Sequence, residues 1–314
     1  MINIVLSAYN GERYISDQIR SILELGRSDL KLFVFDDVSS DDTVRIVSGF
    51  EKEYPETVKL VENKFNKGFV RNFLEGLRYT AVNSPADYYV FCDQDDVWLE
   101  NRITVCLKRM EELEEKYSKD MPVLLFTDAV MTDKDLNRMG TTFFKADRLN
   151  TSDIRFPGLL MENRCIGCTS FMNAALVRII AESLKNGFDK RIRYHDWWAA
   201  LTASAFGRIE FIDVPTILYR QHGNNEVGQT SFYGYIKDRI AGIEENRTRI
   251  RKTIAQGSAF YRAYAGRLRR TEKRTIREFI ALGWADPLEK RRLILKNGFY
   301  KSGFIRNIGL LMIV

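Results

Sequence analysis

Several features are scarce or missing in this 314-residue chain, and each absence excludes a class of protein. No apolar run reaches the roughly 18–20 residues that a bilayer-spanning helix needs. The N-terminal Met1-Ile2-Asn3-Ile4-Val5-Leu6 carries no basic leader, and its apolar run stops at Ser7. It reads as a buried first strand rather than a secretory signal, which sets the expectation of a cytoplasmic protein. Cysteine occurs four times, and Cys165 and Cys168 form a lone Cys-x-x-Cys with no second pair. That spacing without partners favours packing of small thiols over zinc or redox work. No Gly-rich phosphate loop, neither G-x-G-x-x-G nor G-x-x-x-x-G-K-S/T, opens the first strand–helix turn. A dinucleotide or P-loop site is therefore disfavoured, and phosphate charge must be met in another way. No base-reading motif is present either, which argues against a nucleic-acid partner.

What is present is ordinary in amount and uneven in placement. Hydrophobic residues make up 45% of the chain, enough for a packed core. From Thr230 onward there are 19 Lys and Arg against 7 Asp and Glu, a net of +12. The preceding residues hold 29 basic and 35 acidic side chains, a net of −6. Such asymmetry predicts a catalytic or binding domain over 1–229 and a basic helical extension over 230–314 that meets a polyanion. Arg267-Leu268-Arg269-Arg270 and Glu289-Lys290-Arg291-Arg292 are its densest clusters, and aromatic and apolar residues are mixed among them. Basic amphipathic helices of this kind lie in the headgroup region of membranes. A solvated basic face on a helical subdomain and self-association are the competing uses.

Periodicity organises the first part. Residues 2–8, 30–35, 58–61, 88–92 and 123–126 are short apolar runs closed by polar or turn residues, as strands are. Between them, apolar positions recur at helical spacing, as in Ile15, Ile19 and Ile22, and again over residues 99–117. Strands alternating with helices predict an α/β fold with a mostly parallel sheet covered on both faces. Further elements are expected at 166–171 (strand), 174–184 (helix), and 209–214 and 216–219 (strands flanking Pro215). Polar clusters fall at the strand C-terminal ends: Tyr9-Asn10, Asp36-Asp37 and Asp93-Gln94-Asp95-Asp96. In open parallel sheets that edge binds ligands. Three carboxylates in four residues suit Mg2+ or Mn2+, which bridge protein oxygens to substrate phosphates. Taken alone, the same run fits a solvated turn equally well.

Four motifs in order carry a resemblance to a known family: Val5-Leu6-Ser7-Ala8-Tyr9-Asn10, then Phe35-Asp36-Asp37 running to Thr43, then Asn66-Lys67-Gly68 with Asn72, then Asp93-Gln94-Asp95-Asp96. Together, over about residues 1–225, they resemble family 2 glycosyltransferases, inverting enzymes of the GT-A fold. His195-Asp196-Trp197-Trp198 and Arg220-Gln221-His222-Gly223-Asn224-Asn225 look most like bacterial rhamnosyltransferases of cell-surface polysaccharide assembly. The resemblance implies a nucleotide-binding half over about 1–130 and an acceptor half over about 131–229. It implies that Ala8, Tyr9, Asp37, Arg71, Asp93 and Asp95 bind the donor nucleotide. It implies Asp95, Asp96 and His222 as ligands of Mn2+ or Mg2+, and Asp196 as general base. His195, Trp197, Trp198 and Cys168 are acceptor-side candidates. Each has a structural competitor: Tyr9 as a cover for the sheet edge, the two tryptophans as core, Asp41 and Asp42 as helix caps.

These implications give a mechanism and its partners. A carboxylate such as Asp196 takes the proton of an acceptor hydroxyl during attack. One displacement inverts the anomeric centre. The expected donor is a dTDP- or UDP-sugar, with L-rhamnose from dTDP-L-rhamnose favoured, and the expected acceptor a glycan or lipid-linked sugar at the inner face of the cell membrane. A sugar nucleotidyltransferase is the alternative enzyme class, although Ala8-Tyr9-Asn10-Gly11-Glu12 is a poor triphosphate turn. A non-catalytic nucleotide-sugar-binding protein is the alternative outside enzymes.

Overall fold

The computed structural model describes residues 1–222 and 242–314. In chain order it opens with β1 (Ile2–Ala8), α1 (Ile15–Leu23), β2 (Leu30–Asp36), α2 (Thr43–Glu53), β3 (Val58–Glu62), α3 (Phe69–Asn83) and β4 (Tyr88–Asp93). Then come β5 (Val97–Trp98), α4 (Arg102–Tyr117), β6 (Val123–Thr132), β7 (Arg138–Thr142), α5 (Phe143–Asp147) and α6 (Phe156–Met161). A 3-10 turn at Gly167–Thr169 leads into β8 (Ser170–Asn173), α7 (Ala174–Ser183), α8 (His195–Phe206) and β9 (Arg208–Arg220). The last helices described are α9 (Ile243–Tyr264), α10 (Arg270–Ala281), α11 (Pro287–Asn297) and α12 (Phe304–Ile313).

The chain divides into two compact units. The first, Met1–Phe143 with Cys165–Phe188 and Tyr194–Arg220, holds one sheet in the order β3-β2-β1-β4-β8-β6-β9-β5, with β7 added on β6. β1 to β4 are mutually parallel, and β8 runs antiparallel to both β4 and β6. Strands of this centre are apolar on both faces because helices cover both: Ile4, Val5, Leu6, Val34, Val90 and Phe91 are fully buried. α1 turns Ile15, Ile19 and Ile22 inward at the predicted spacing.

Four details depart from expectation. The run 166–171 is half 3-10 turn, and its strand starts only at Ser170. Residues 97–98 form a two-residue strand against Ile217 and Leu218, so the helix expected from 99 begins at Arg102. β7 has no predicted counterpart. The two strands expected around Pro215 are one 13-residue strand. Proline lacks the ladder N–H. The β6–β9 register accordingly shifts between Thr127, Asp128 and Val130, with Pro215 opposite Asp128.

The second unit comprises Phe144–Arg164, Asp189–Arg193 and the chain from Gln221. It takes in more than the C-terminal extension, and the expected boundary after residue 229 lies outside the described residues, as do Gly223, Asn224 and Asn225. Its core sets Phe279 edge-on to Phe299, ring centres 5.1 Å apart, and packs Phe156 at a tilt against Phe260 at 5.7 Å. Glu162 and Arg164 tie the 144–164 segment to the last helices. Glu162 accepts from the backbone N–H and hydroxyl of Ser302, each at 2.5 Å. The fully buried Arg164 guanidinium donates to the carbonyls of Tyr300 (2.6 Å) and Asp153.

Candidate active site

The C-terminal ends of β1, β2 and β4 lie side by side, with Ala8 paired to Asp36 and Ser7 to Asp93. The loops leaving these strands are stitched to one another by side chains. Tyr9 N–H donates to Gln94 Oε1 at 2.9 Å, and Gln94 Nε2 donates back to the Tyr9 carbonyl at 3.1 Å. Asn10 Oδ1 accepts from Ser40 N–H, and Asn10 N–H donates to Ser39 Oγ. Tyr9 itself is half-exposed, its ring open at the sheet edge, whereas Ala8 is buried. Val38, a β-branched residue, is held at φ 68°, a rare conformation of the kind that concentrates strain at ligand edges.

Asp37 is buried and organises the next loop. Its carboxylate accepts from Lys67 N–H, Gly68 N–H and Asn63 Nδ2 at 2.8–2.9 Å. Asn63 passes the network to Asn72, which donates to Ser7 Oγ and to the Phe35 carbonyl. Arg71, expected on the donor diphosphate, pairs with Glu75 at 2.7 Å and packs over the Phe65 ring.

Close approach dictates one glycine here. A Cβ on Gly11 would sit 2.2 Å from Gln94 Oε1, inside the space of the amide that clamps Tyr9. Gly11→Ala should therefore break the Tyr9–Gln94 pairing with little change in melting temperature, and should weaken several-fold the nucleotide binding that the motifs imply for this edge. Equilibrium dialysis with a nucleoside diphosphate measures it, and unchanged affinity would count against the clamp.

At the end of β4 the acidic run meets two other segments. Oxygen atoms of Asp93 and Asp96 and the sulfur of Cys168 all lie within 4.8 Å of one another, close enough to share a metal ion. Asp96 is buried; its Oδ1 accepts from Arg220 N–H, while its Oδ2 accepts no hydrogen bond. Desolvation pushes the Asp93 carboxyl up to about 7, and the negative charges of Asp95 and Asp196 add to it. Burial likewise raises Asp96 and Cys168 well above their ordinary ranges, helped by the charges they share. Two carboxylates crowded in a low-dielectric place, one oxygen bare, offer the hard oxygen donors that fit Mg2+ or Mn2+, whereas the protonated thiol beside them is a poor ligand for either.

This grouping differs from the expected Asp95, Asp96 and His222. It contains Asp96 together with Asp93 and Cys168. Asp95 offers its carbonyl to Arg220 Nε at 2.8 Å. His222 is grouped with the second unit. Asp196 is the second residue of α8; its Oδ1 accepts from Trp197 N–H at 2.6 Å, and its charge is felt at Asp93.

The acceptor-side expectations are corrected by burial. Trp197 and Trp198 are both core residues, Trp198 donating its indole N–H to Ser183 Oγ, so neither forms an open wall. His195 stacks on Phe73 at 3.9 Å and meets Phe91 edge-on at 4.7 Å. Both its ring nitrogens are buried without a hydrogen bond, and burial lowers it to about 3. In the unfolded chain it titrates near 6.5, so between those values the unfolded state binds the extra proton. The His195 contribution to stability is thus undiminished above about 6.5 and falls by up to ~1.4 kcal/mol per pH unit below it. His195→Phe should flatten that part of the pH–stability curve, as urea melts between pH 4.5 and 7.5 would show. An unchanged acid slope would refute it.

Two arginines escaped the sequence reading. Arg102 is fully buried, donating to the carbonyls of Cys168 and Ser170 and resting over Trp98. Its position four residues before Cys106 and eight before Met110 puts it on the buried stripe of α4, a readable signal. Arg220 anchors the acidic loop through Asp95 and Asp96, and also bonds Asp17 and Lys134. It stood inside the segment singled out for His222.

A match to the family model described as glycosyl transferase family 2 runs over residues 3–176, taking in β1 to β8 and the acidic cluster. The chain belongs to this family. As a family 2 glycosyltransferase it is 28% identical over 233 residues to the dTDP-rhamnosyl transferase RfbG of Shigella flexneri, covering 71% of this chain and 73% of that protein. It is 32% identical over 111 residues to the UDP-Glc:alpha-D-GlcNAc-diphosphoundecaprenol beta-1,3-glucosyltransferase WfgD of Escherichia coli, 35% of this chain and 41% of that one. Residues 1–349 of S. aureus TarS in complex with UDP-GlcNAc superpose with a TM-score of 0.53 at 14% identity, covering 99% of this chain and 90% of TarS 1–349. The mannosyltransferase PcManGT from Pyrobaculum calidifontis, in complex with GDP-Man and Mn2+, gives the same TM-score and identity over 99% and 78%. The family 2 fold is thus the GT-A arrangement that the four motifs implied, with helices following it.

Proposed function

We propose that the protein is an inverting glycosyltransferase of bacterial surface-polysaccharide assembly that uses a nucleotide-sugar donor and a divalent cation. The convergence of Asp93, Asp95, Asp96 and Asp196 at one end of the sheet, with a bare buried oxygen on Asp96, carries this reading. Tyr9 offers an open ring for the base, and the loop that Asp37 closes lies beside it. Asp93 and Asp96, with Cys168 beside them and Asp95 next in the chain, would hold Mn2+ or Mg2+. A bound divalent ion supplies Lewis-acid stabilisation of the departing diphosphate. The chain's own work is to orient the sugar and to accept the acceptor hydroxyl's proton on Asp196.

L-rhamnose from a dTDP donor is the favoured sugar, supported by the His195–Trp198 segment and by similarity to a dTDP-rhamnosyl transferase. A lipid-linked glycan is the favoured acceptor, because one relative is described as acting on a diphosphoundecaprenol-linked sugar. A panel of dTDP- and UDP-sugars with Mg2+ or Mn2+ tests the donor through release of nucleoside diphosphate. Selective turnover of dTDP-rhamnose is expected; selective turnover of a UDP-sugar would reassign it. Treatment with a chelator should abolish release, and added Mn2+ or Mg2+ should restore it. Full activity after exhaustive chelation would sink the metal assignment.

A further inference from the structure

Exposed large apolar side chains are not spread evenly over the described residues: seven of them fall within the last 31 positions. On α12, Phe304 (80% exposed), Ile308 and Met312 (74%) are spaced four apart, and Ile305 lies between their rows. That spacing puts them on one face, with buried Leu310 opposite. On α11, Leu288 and Leu295 are seven apart and share a stripe with Arg291. Arg291 Nε donates to the Leu311 carbonyl at 2.8 Å. The Leu288–Leu295 stripe therefore borders the end of α12 where Met312 is exposed. Trp284, 73% exposed, stands three residues before Pro287 opens α11. Single exposed apolar residues need no account, but a contiguous set marks a surface that meets something.

Charge selects the partner. Residues 242–314 carry 17 Lys and Arg against 6 Asp and Glu, and α12 has no acidic residue. A second copy laid on this surface would bring one positive excess against another, whereas an anionic surface would be attracted. The ten residues of α12 span only about 15 Å, and no described helix is long and apolar enough to cross a membrane. We propose that the edge formed by α11 and α12, with Trp284, docks on an anionic lipid bilayer. Its apolar side chains enter the boundary between headgroups and acyl chains while the surrounding Lys and Arg engage lipid charge. This deepens the proposed reading, whose favoured acceptor is lipid-linked, but it is argued from surface residues that the donor chemistry does not use.

The full chain should co-sediment with phosphatidylglycerol–phosphatidylethanolamine vesicles at low salt, and much less with pure phosphatidylcholine. The combined variant Ile305→Ser, Ile308→Ser, Met312→Ser should lower the partition coefficient by about tenfold or more. Three of the four tryptophans, Trp98, Trp197 and Trp198, are buried, so a change in emission caused by vesicles reports Trp284 within the unaltered fold. Its emission should shift to the blue on anionic vesicles, and Trp284→Phe should remove the shift. Absence of wild-type sedimentation, no blue shift, or unchanged sedimentation of the triple variant would each overturn the proposal. So would a wild-type dimer by light scattering that the triple variant dissociates with neither form binding vesicles, because the edge would then be a self-association surface. Donor turnover by the triple variant should match wild type, which keeps failure of the lipid surface distinct from failure of the glycosyltransferase reading.

Discussion

Asp196→Asn should lower sugar transfer by about 10²–10⁴-fold, the range for removing a positioned general base, while donor affinity is retained. The substitution is nearly isosteric. Its amide oxygen can still accept from Trp197 N–H, so the first turn of α8 should keep its place. What disappears is the carboxylate proposed to take the acceptor's proton. The neighbourhood makes this a demanding test. His195, adjacent in sequence, is packed on Phe73 and held neutral by burial, so it offers no ready substitute base. Gly167 lies directly beneath, where a Cβ would come within 2.6 Å of His195 Nε2 and 3.3 Å of Asp196 Cβ. Single-turnover transfer and calorimetric donor binding separate the outcomes. Transfer within a few-fold of wild type with normal binding would move the base to another carboxylate. Loss of both would mean that Asp196 holds the donor or the cation instead.

Much of the first unit was legible because its signals are local. A strand apolar on both faces, a polar stop and an amphipathic helix are written within some twenty residues, and β1 to β4 with α1 to α4 follow that grammar. The acidic run was legible for the same reason, since strand ends in parallel sheets place such residues at the ligand edge. The parts that were missed depend on partners far along the chain. Cys168 joins Asp93 and Asp96 across more than seventy residues, through a 3-10 turn that no pattern announces. β5 exists because Ile217 and Leu218 lie opposite Val97 and Trp98, and a two-residue strand has no period of its own. Trp197 and Trp198 look alike whether they line a cleft or fill a core; α8 is buried on nearly all sides, which one helix's sequence does not specify. The second unit is assembled from three separated segments, and composition registered only the last.

The largest stability effect should come from Arg220, the residue that links distant pieces of the site. Its guanidinium donates to the carbonyls of Asp95 and Lys134, each at 2.8 Å, and to Asp17 at 2.9 Å, with its plane over the Tyr14 ring at 4.4 Å. The arginine side chain is only 4% exposed, whereas Asp17 is half in solvent. Truncation to Ala would leave Asp17 to water at little cost, but would strand the two carbonyls and open a hole beside Tyr14. Leaving a buried acceptor unpaired costs about 1–3 kcal/mol for each carbonyl, and the hole adds to it. Arg220→Lys should recover only a minor part, because one ammonium cannot reproduce three donors in a planar fork. The site should suffer beyond the fold: Asp96 is held through the Arg220 N–H and Asp95 through its carbonyl, so loosening this corner disperses the carboxylates proposed to hold the cation. Urea melts give the stability change, and metal titration of whatever fraction stays folded gives the other. If Arg220→Lys unfolded at the wild-type denaturant midpoint and bound Mn2+ equally well, the acidic loop would be held by its own turn, and the arginine would be ornamental to it.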